Sequence, residues 1–158
     1  MTTLTLLAKF VRSLVSMSSV MLVLVLLTPA GRAMSRQVTL EAIHQIENPR
    51  NLTRPGPAGE LGAYQFRAAT WAQHTRRPFS DALDRRWSDY VAALHHDWLC
   101  ERLVRNGLAP SVYNIALAWN AGLSATVRGR APRRSHDYAV RVGNIAGELI
   151  DRLRLASR

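Results

Sequence analysis

Residues 111 to 122 read "SVYNIALAWNAG". Ser111 suits a helix N-cap and Gly122 suits a helix stop. Between them the chain is apolar on nearly every side, which predicts a central, buried helix. Working toward the N-terminus, Ser80 to Asn106 places Leu83, Trp87, Val91, Leu94, Trp98, Leu99 and Leu103 at steps of three, four and one. That spacing predicts a long helix with one buried stripe, capped by Ser80 and stopped at Gly107. A short helix is expected from Arg67 to His74. Val38, Ala42, Ile43 and Ile46 give a further helical run that ends at Glu47, because Pro49 opposes continuation. Toward the C-terminus, residues 123 to 134 read as a basic loop. Ser135 then caps a last helix carrying Tyr138, Val142, Ile145, Leu149 and Leu153. Strand signals are nearly absent, so the expected fold class is all-α, with long loops gathered on one side.

The first 33 residues differ from the rest. They hold no acid, and Lys9, Arg12 and Arg32 flank an apolar stretch that ends in small residues. This order predicts a secretory signal peptide over 1–33 and a domain over 34–158. A retained membrane anchor is the alternative, and Pro29 with the short apolar run favours cleavage. The chain carries a formal net charge of +10; without the leader, Lys plus Arg falls from 21 to 18 while Asp plus Glu stays at 11, leaving +7. A basic exported domain suits an acidic partner such as an anionic membrane or a bacterial wall. Export argues against nucleic acid. Cys100 is the one cysteine, so no internal disulfide is possible, and its apolar surroundings predict a buried structural thiol. His95 and His96 are adjacent and point about 100° apart on a helix, while His44 and His74 look isolated. No metal or cofactor is expected. Asn51-Leu52-Thr53 matches a glycosylation sequon, a pattern common by chance.

Three features stand out beyond packing. Glu47 ends a helix, where the macrodipole disfavours a carboxylate and so favours the protonated acid. It is either a solvated surface acid or a general acid for chemistry near neutral pH. After a loop stiffened by Pro49, Pro55 and Pro57, the chain returns as Gly62-Ala63-Tyr64-Gln65-Phe66. Glycine admits close backbone approach, and an aromatic ring beside an amide suits a sugar; Phe66 and Trp71 are expected in the core. Asn120 closes the apolar helix, as a structural bridge or as a ligand contact.

Together, Glu47, "GELGAYQF", "ALAWNAG" and "SHDYAVRV" resemble the lysozyme-like transglycosylase family, which includes soluble lytic transglycosylases and goose-type lysozymes. The likeness runs from about Leu40 to Val142. In that family a helix ends in the catalytic Glu, followed by a Gly-Leu-Met-Gln-like turn, an Ala-Tyr-Asn-Ala-Gly segment and a late Tyr-Val-x-Arg-Val helix. The resemblance implies a lysozyme-like helical domain with loops lining a glycan cleft. Glu47 falls on the catalytic acid/base, Gln65 on the substrate-binding Gln, Asn120 on the Asn of Asn-Ala-Gly, and Tyr138 on the late Tyr near the catalytic Glu. Tyr64 replaces the Met of the turn and is expected to put a ring against sugar. The chain departs from the pattern at Asn48, where Ser is frequent, at Trp119, which replaces Tyr, and at Glu60, where a small residue is usual. The implied partner is the glycan strand of peptidoglycan, cut between N-acetylmuramic acid and N-acetylglucosamine, in the periplasm or outside the cell. Glu60, the only acid between Asn48 and Asp81, is the candidate second carboxylate of a water-dependent muramidase. A non-catalytic wall-binding domain is a further alternative.

Overall fold

The computed structural model describes residues 29–157. The leader expected over 1–33 falls almost wholly outside these residues. The chain divides into two compact units, Met1–Ser35 and Arg36–Arg158. The buried core of the described residues lies in the second. The described residues are mostly helical. The helices are α1 (Pro29–Glu47), α2 (Ala68–His74), α3 (Arg85–Arg105), α4 (Val112–Ala121), α5 (Leu123–Val127) and α6 (Arg133–Ala156), with a 3₁₀ turn at Phe79–Leu83. The fold is therefore all-α. No helix among the described residues is long and apolar enough to cross a membrane.

The stretch 111–122 is the centre of the molecule, as its pattern predicts. Ser111 Oγ accepts from the Asn114 N–H, and Ile115, Ala116, Leu117 and Ala118 are buried. α4 packs most extensively against α6, which turns Tyr138, Ala139, Val142 and Ala146 inward. The spacing of four aligns three of these on one stripe. Ile43, Phe66, Trp71, Val91 and Val142 belong to the main core, and Leu99, Leu103 and Ile115 to a second cluster against α3. Trp71 is 1% exposed and its indole N–H donates to the Arg77 carbonyl at 3.0 Å, so the buried polar end is satisfied.

Several boundaries differ from expectation. Ser80 does not cap the long helix. The chain makes a 3₁₀ turn first, and Asp84 is the cap, accepting from the N–H groups of Arg86 and Trp87. Asp competes with Ser as an N-cap, and its charge complements the helix dipole. Leu83, left outside the helix, is 40% exposed. Ser135 does not cap α6; it lies buried inside the first turn, behind Pro132 at the N-cap. Residues 123–134 are not all loop: Gly122, at φ +85°, ends α4 and starts α5 at once. Its carbonyl accepts from both the N–H and the hydroxyl of Thr126. Leu153, expected on the buried stripe of α6, is half exposed. Gly107 does stop α3, with Leu108 N–H on Leu103 and Gly107 N–H on Val104, a Schellman ending.

The return segment is a four-residue turn closed by a bridge. Leu61 and Phe66 exchange N–H to carbonyl bonds of 3.0 and 2.9 Å, and the Gln65 N–H reaches the Gly62 carbonyl. Gly62 has φ +78°, and a Cβ there would lie 1.8 Å from the Ala82 carbonyl oxygen. Both conformation and space demand glycine. Gln65 also has positive φ, +46°, which a non-glycine residue adopts only when its surroundings hold it there.

Candidate active site

Glu47 is the last residue of α1, and Asn48 determines where it points. The Asn48 side chain donates to the carbonyls of Leu52 and Gly62 and accepts from the Leu52 N–H, at 2.9 to 3.2 Å. One buried amide thus ties the end of α1, the proline-bearing loop and the return turn together. That turn carries Gln65. Asparagine folds back on its own backbone more readily than serine. Asparagine at this position therefore has a clear local use.

The Glu47 carboxyl is half-buried, and Tyr138 donates to its Oε1 at 2.7 Å from α6. Desolvation raises the Glu47 pKa above the ordinary carboxylate value. The Tyr138 bond opposes that shift, the negative charge of Glu60 adds to it, and Arg141 opposes it. Tyr138 is 4% exposed and its own hydroxyl is held protonated by burial and by Glu47. It stands behind the acid as a donor and does not line the cavity in front of it.

That cavity has a volume of about 700 Å³. Its walls include Glu47, Glu60, Gln65 and Asn120 together with Phe66, Thr70, His95 and Trp119. A second hollow of about 410 Å³ shares Glu47 and Gln65 and continues past Arg54 and Pro55. Glu47 and Gln65 therefore open onto both, with the acid placed between two hollows. Asn120 is exposed to the cavity, contrary to the buried amide expected. Its Oδ1 accepts from the Ser135 hydroxyl at 2.7 Å, which leaves the NH₂ group for a ligand. The structural bridge and the exposed contact thus coexist in one side chain. Gln65 spends one N–H on the Gly62 carbonyl at 3.0 Å.

Of the residues singled out in the sequence, Glu47, Gln65, Asn120 and Tyr138 come together. Tyr64 does not. It is 3% exposed, its hydroxyl donates to Asp89 at 2.7 Å, and its ring packs against Phe66 and Trp119. The expected ring against sugar is corrected to a core residue. In the turn Ala63, Tyr64 and Phe66 are all buried, while Gln65, at φ +46°, is only partly buried and lines the cavity. Arg85 completes the Tyr64 cluster, bonding Asp89 at 2.8 Å and His44 at 3.2 Å.

Glu60 does line the cavity, but both its oxygens are occupied. Oε2 accepts from the Ala58 N–H at 2.8 Å and Oε1 pairs with Arg67 at 3.4 Å. The backbone bond and the arginine hold the Glu60 pKa below the usual carboxylate value. Two carboxyls in one cavity are thus pushed in opposite directions.

His74 is not isolated: its Nε2 meets the Nδ1 of His95 at 2.8 Å. His95 and Trp119 line the cavity, and neither was singled out in the sequence. Trp119 gave a signal in replacing the family tyrosine. His95 gave none, since a histidine on a long helix is usually packing or surface. Cys100 is half-buried near His96, and burial pushes its thiol up to about 11, which makes it inert at neutral pH. No group of three potential metal ligands occurs among the described residues. Comparison of the chain with family models, with curated proteins and with solved structures finds no match.

Proposed function

We propose that this domain is a lysozyme-like enzyme cutting peptidoglycan glycan strands between N-acetylmuramic acid and N-acetylglucosamine. In this reading it acts as a lytic transglycosylase outside the cytoplasm, with the leader as its export signal. One observation carries the reading: a desolvated acid, Glu47, anchored from behind by Tyr138, opens onto hollows on both sides together with Gln65. A polymer can lie across such an acid, and a scissile bond must.

The steps follow from the acid's state. Protonated Glu47 gives its proton to the leaving O4 of N-acetylglucosamine as the glycosidic bond breaks. The N-acetyl carbonyl oxygen of the muramic residue attacks C1 from the other face, which replaces a second carboxylate. Glu47, now ionised, takes the proton of the 6-hydroxyl. That oxygen attacks C1, the N-acetyl group is released, and a 1,6-anhydro ring forms without water. The 6-hydroxyl's proton replaces the one Glu47 gave up. Gln65 and Asn120 have spare amide hydrogens for the N-acetyl and hydroxyl oxygens of the glycan.

A second reading has its own support. Glu60 is pushed toward its ionised form in the same cavity where Glu47 is pushed toward its protonated form, and such splitting is the pattern of an acid and a base. Glu60 would then activate water, and the enzyme would be a muramidase. Against this, both Glu60 oxygens are already engaged. Mass spectrometry of products from purified peptidoglycan separates the two. Anhydromuramic ends are expected; reducing ends would establish hydrolysis. Undiminished release by Glu47→Gln would end both readings.

A further inference from the structure

One wall residue of the cavity, His95, has a chemistry of its own. His95 is 8% exposed. Its ring stacks on Trp98 at 15° and 5.7 Å and meets Trp119 edgewise at 4.8 Å. Nδ1 is occupied by His74. Nε2 has no protein partner within hydrogen-bond distance. It is not a buried orphan either, since Ser88 Oγ is the one buried side-chain polar atom without a partner among the described residues. Because His95 lines the cavity, its Nε2 is in contact with the cavity space.

We infer that His95 is a sugar contact in the cavity it shares with Glu47, with His74 as the positioning residue that fixes its tautomer. This rests on the glycan reading. The inference assigns His74 as the donor across the 2.8 Å contact, from its Nε2 to Nδ1 of His95, so that His95 carries its single proton on Nε2 and presents an N–H donor. The fitting ligand group is an oxygen acceptor, an acetamido carbonyl or a ring hydroxyl, with the face of Trp119 beside it. The surrounding rings also keep the imidazole neutral. Burial, with His74 and His96 nearby, pushes its pKa down to about 3. A neutral donor suits an uncharged acetamido or hydroxyl group.

The experiment uses the full chain carrying Glu47→Gln, which prevents turnover. The probe is a soluble, peptide-free tetrasaccharide of alternating N-acetylglucosamine and N-acetylmuramic acid. Nitrogen-resolved NMR of the imidazoles is expected to show His95 protonated on Nε2, with that resonance moving as the glycan binds. His95→Phe, which keeps a flat ring between Trp98 and Trp119, is expected to weaken binding roughly tenfold, the scale of one hydrogen bond left unmade. His74→Phe should weaken it less and mix the tautomers of His95. His74→Gln, whose amide keeps a donor near the same place, should restore both. A bare Nε2, or a His95 signal that stays still while the side-chain amides of Gln65 and Asn120 move, overturns this inference and leaves the glycan reading standing. If no signal of any of these residues moves, the glycan reading falls, and this inference falls with it.

Discussion

Two groups that line the main cavity, Glu47 and His95, solve the same electrostatic problem with opposite chemistry. Glu47 is desolvated, so its neutral form, the protonated acid, is favoured. His95 is desolvated, so its neutral form, the unprotonated base, is favoured. Burial penalises charge of either sign. The outcome is a cavity in which both groups are pushed toward their uncharged, hydrogen-bonding forms. The ion pair of Glu60 and Arg67 sits on its rim, compensated within itself. The lesson is that one physical term makes a proton donor of a carboxyl and keeps an imidazole from becoming a cation. Under the proposed function only the first also serves catalysis: Glu47 is to give up its proton during turnover, while His95 is to keep its own.

The largest break in this comparison comes at the acid. Glu47→Gln is expected to lower the rate of muropeptide release by at least 10²–10⁴-fold, the usual scale for general acid catalysis. The same change should leave folding intact and even help it. The folded pKa of Glu47 lies above its unfolded value. Its contribution to stability is therefore complete at acid pH and is lost as pH rises through the folded pKa. Glutamine has no proton to lose. Thermal melts should find the variant no more stable than the parent at pH 4 and more stable at pH 7. Equal differences at the two pH values would mean that desolvation does not govern Glu47.

Next in size is a change that disturbs the geometry of the wall that the two groups share. Gln65 and Phe66 both line the cavity, and both are carried by the turn at Gly62. Gly62→Ala meets the Ala82 carbonyl and strains a backbone at φ +78°. A loss of about 2–4 kcal/mol is expected, in the range of overpacking and strain at special backbone positions. Denaturant melts measure it. Gly59→Ala offers a control: it shares the positive φ, but a Cβ there meets nothing within 4 Å. It should lose about 1 kcal/mol from strain alone. Equal losses at the two sites would show that the close approach to Ala82 is unimportant.

The sequence carried much of this arrangement. Helix periodicity found α1, α3, α4 and α6, because each has one apolar stripe or, for α4, little but apolar surface. It missed the cap at Asp84, since Ser80 and Asp84 both satisfy the rule for an N-cap and only packing chooses. It missed α5 because Arg128 and Arg130 disguise a helix of five residues as a basic loop. In the site, Glu47 was legible from its place at a helix end and Tyr138 from the resemblance. Tyr64 was misplaced because its partners, Asp89 and Trp119, lie on distant parts of the chain, and no local pattern shows that they draw the ring into the core. The pairing of His74 with His95 was illegible. It joins residues 21 apart on two helices whose relative placement no local pattern reveals.

The smallest expected effect separates two neighbours of the acid. Tyr138 stabilises the Glu47 carboxylate by donating to it, and Glu60 destabilises it by charge. Removing the first should raise the Glu47 pKa, and removing the second should lower it. A general acid works while it is protonated, so its pH–rate profile falls on the alkaline side near its own pKa. Tyr138→Phe is expected to move that limb to higher pH and Glu60→Gln to move it to lower pH. With Glu47 placed correctly in both, the rate at the optimum should fall about tenfold or less. The opposed directions make the pair informative, because a general loosening of the site would shift both limbs alike. An alkaline limb that stays fixed in both variants would assign it to a group other than Glu47. A collapse of the rate by Glu60→Gln at every pH would instead make Glu60 the base that activates water, and the enzyme a muramidase.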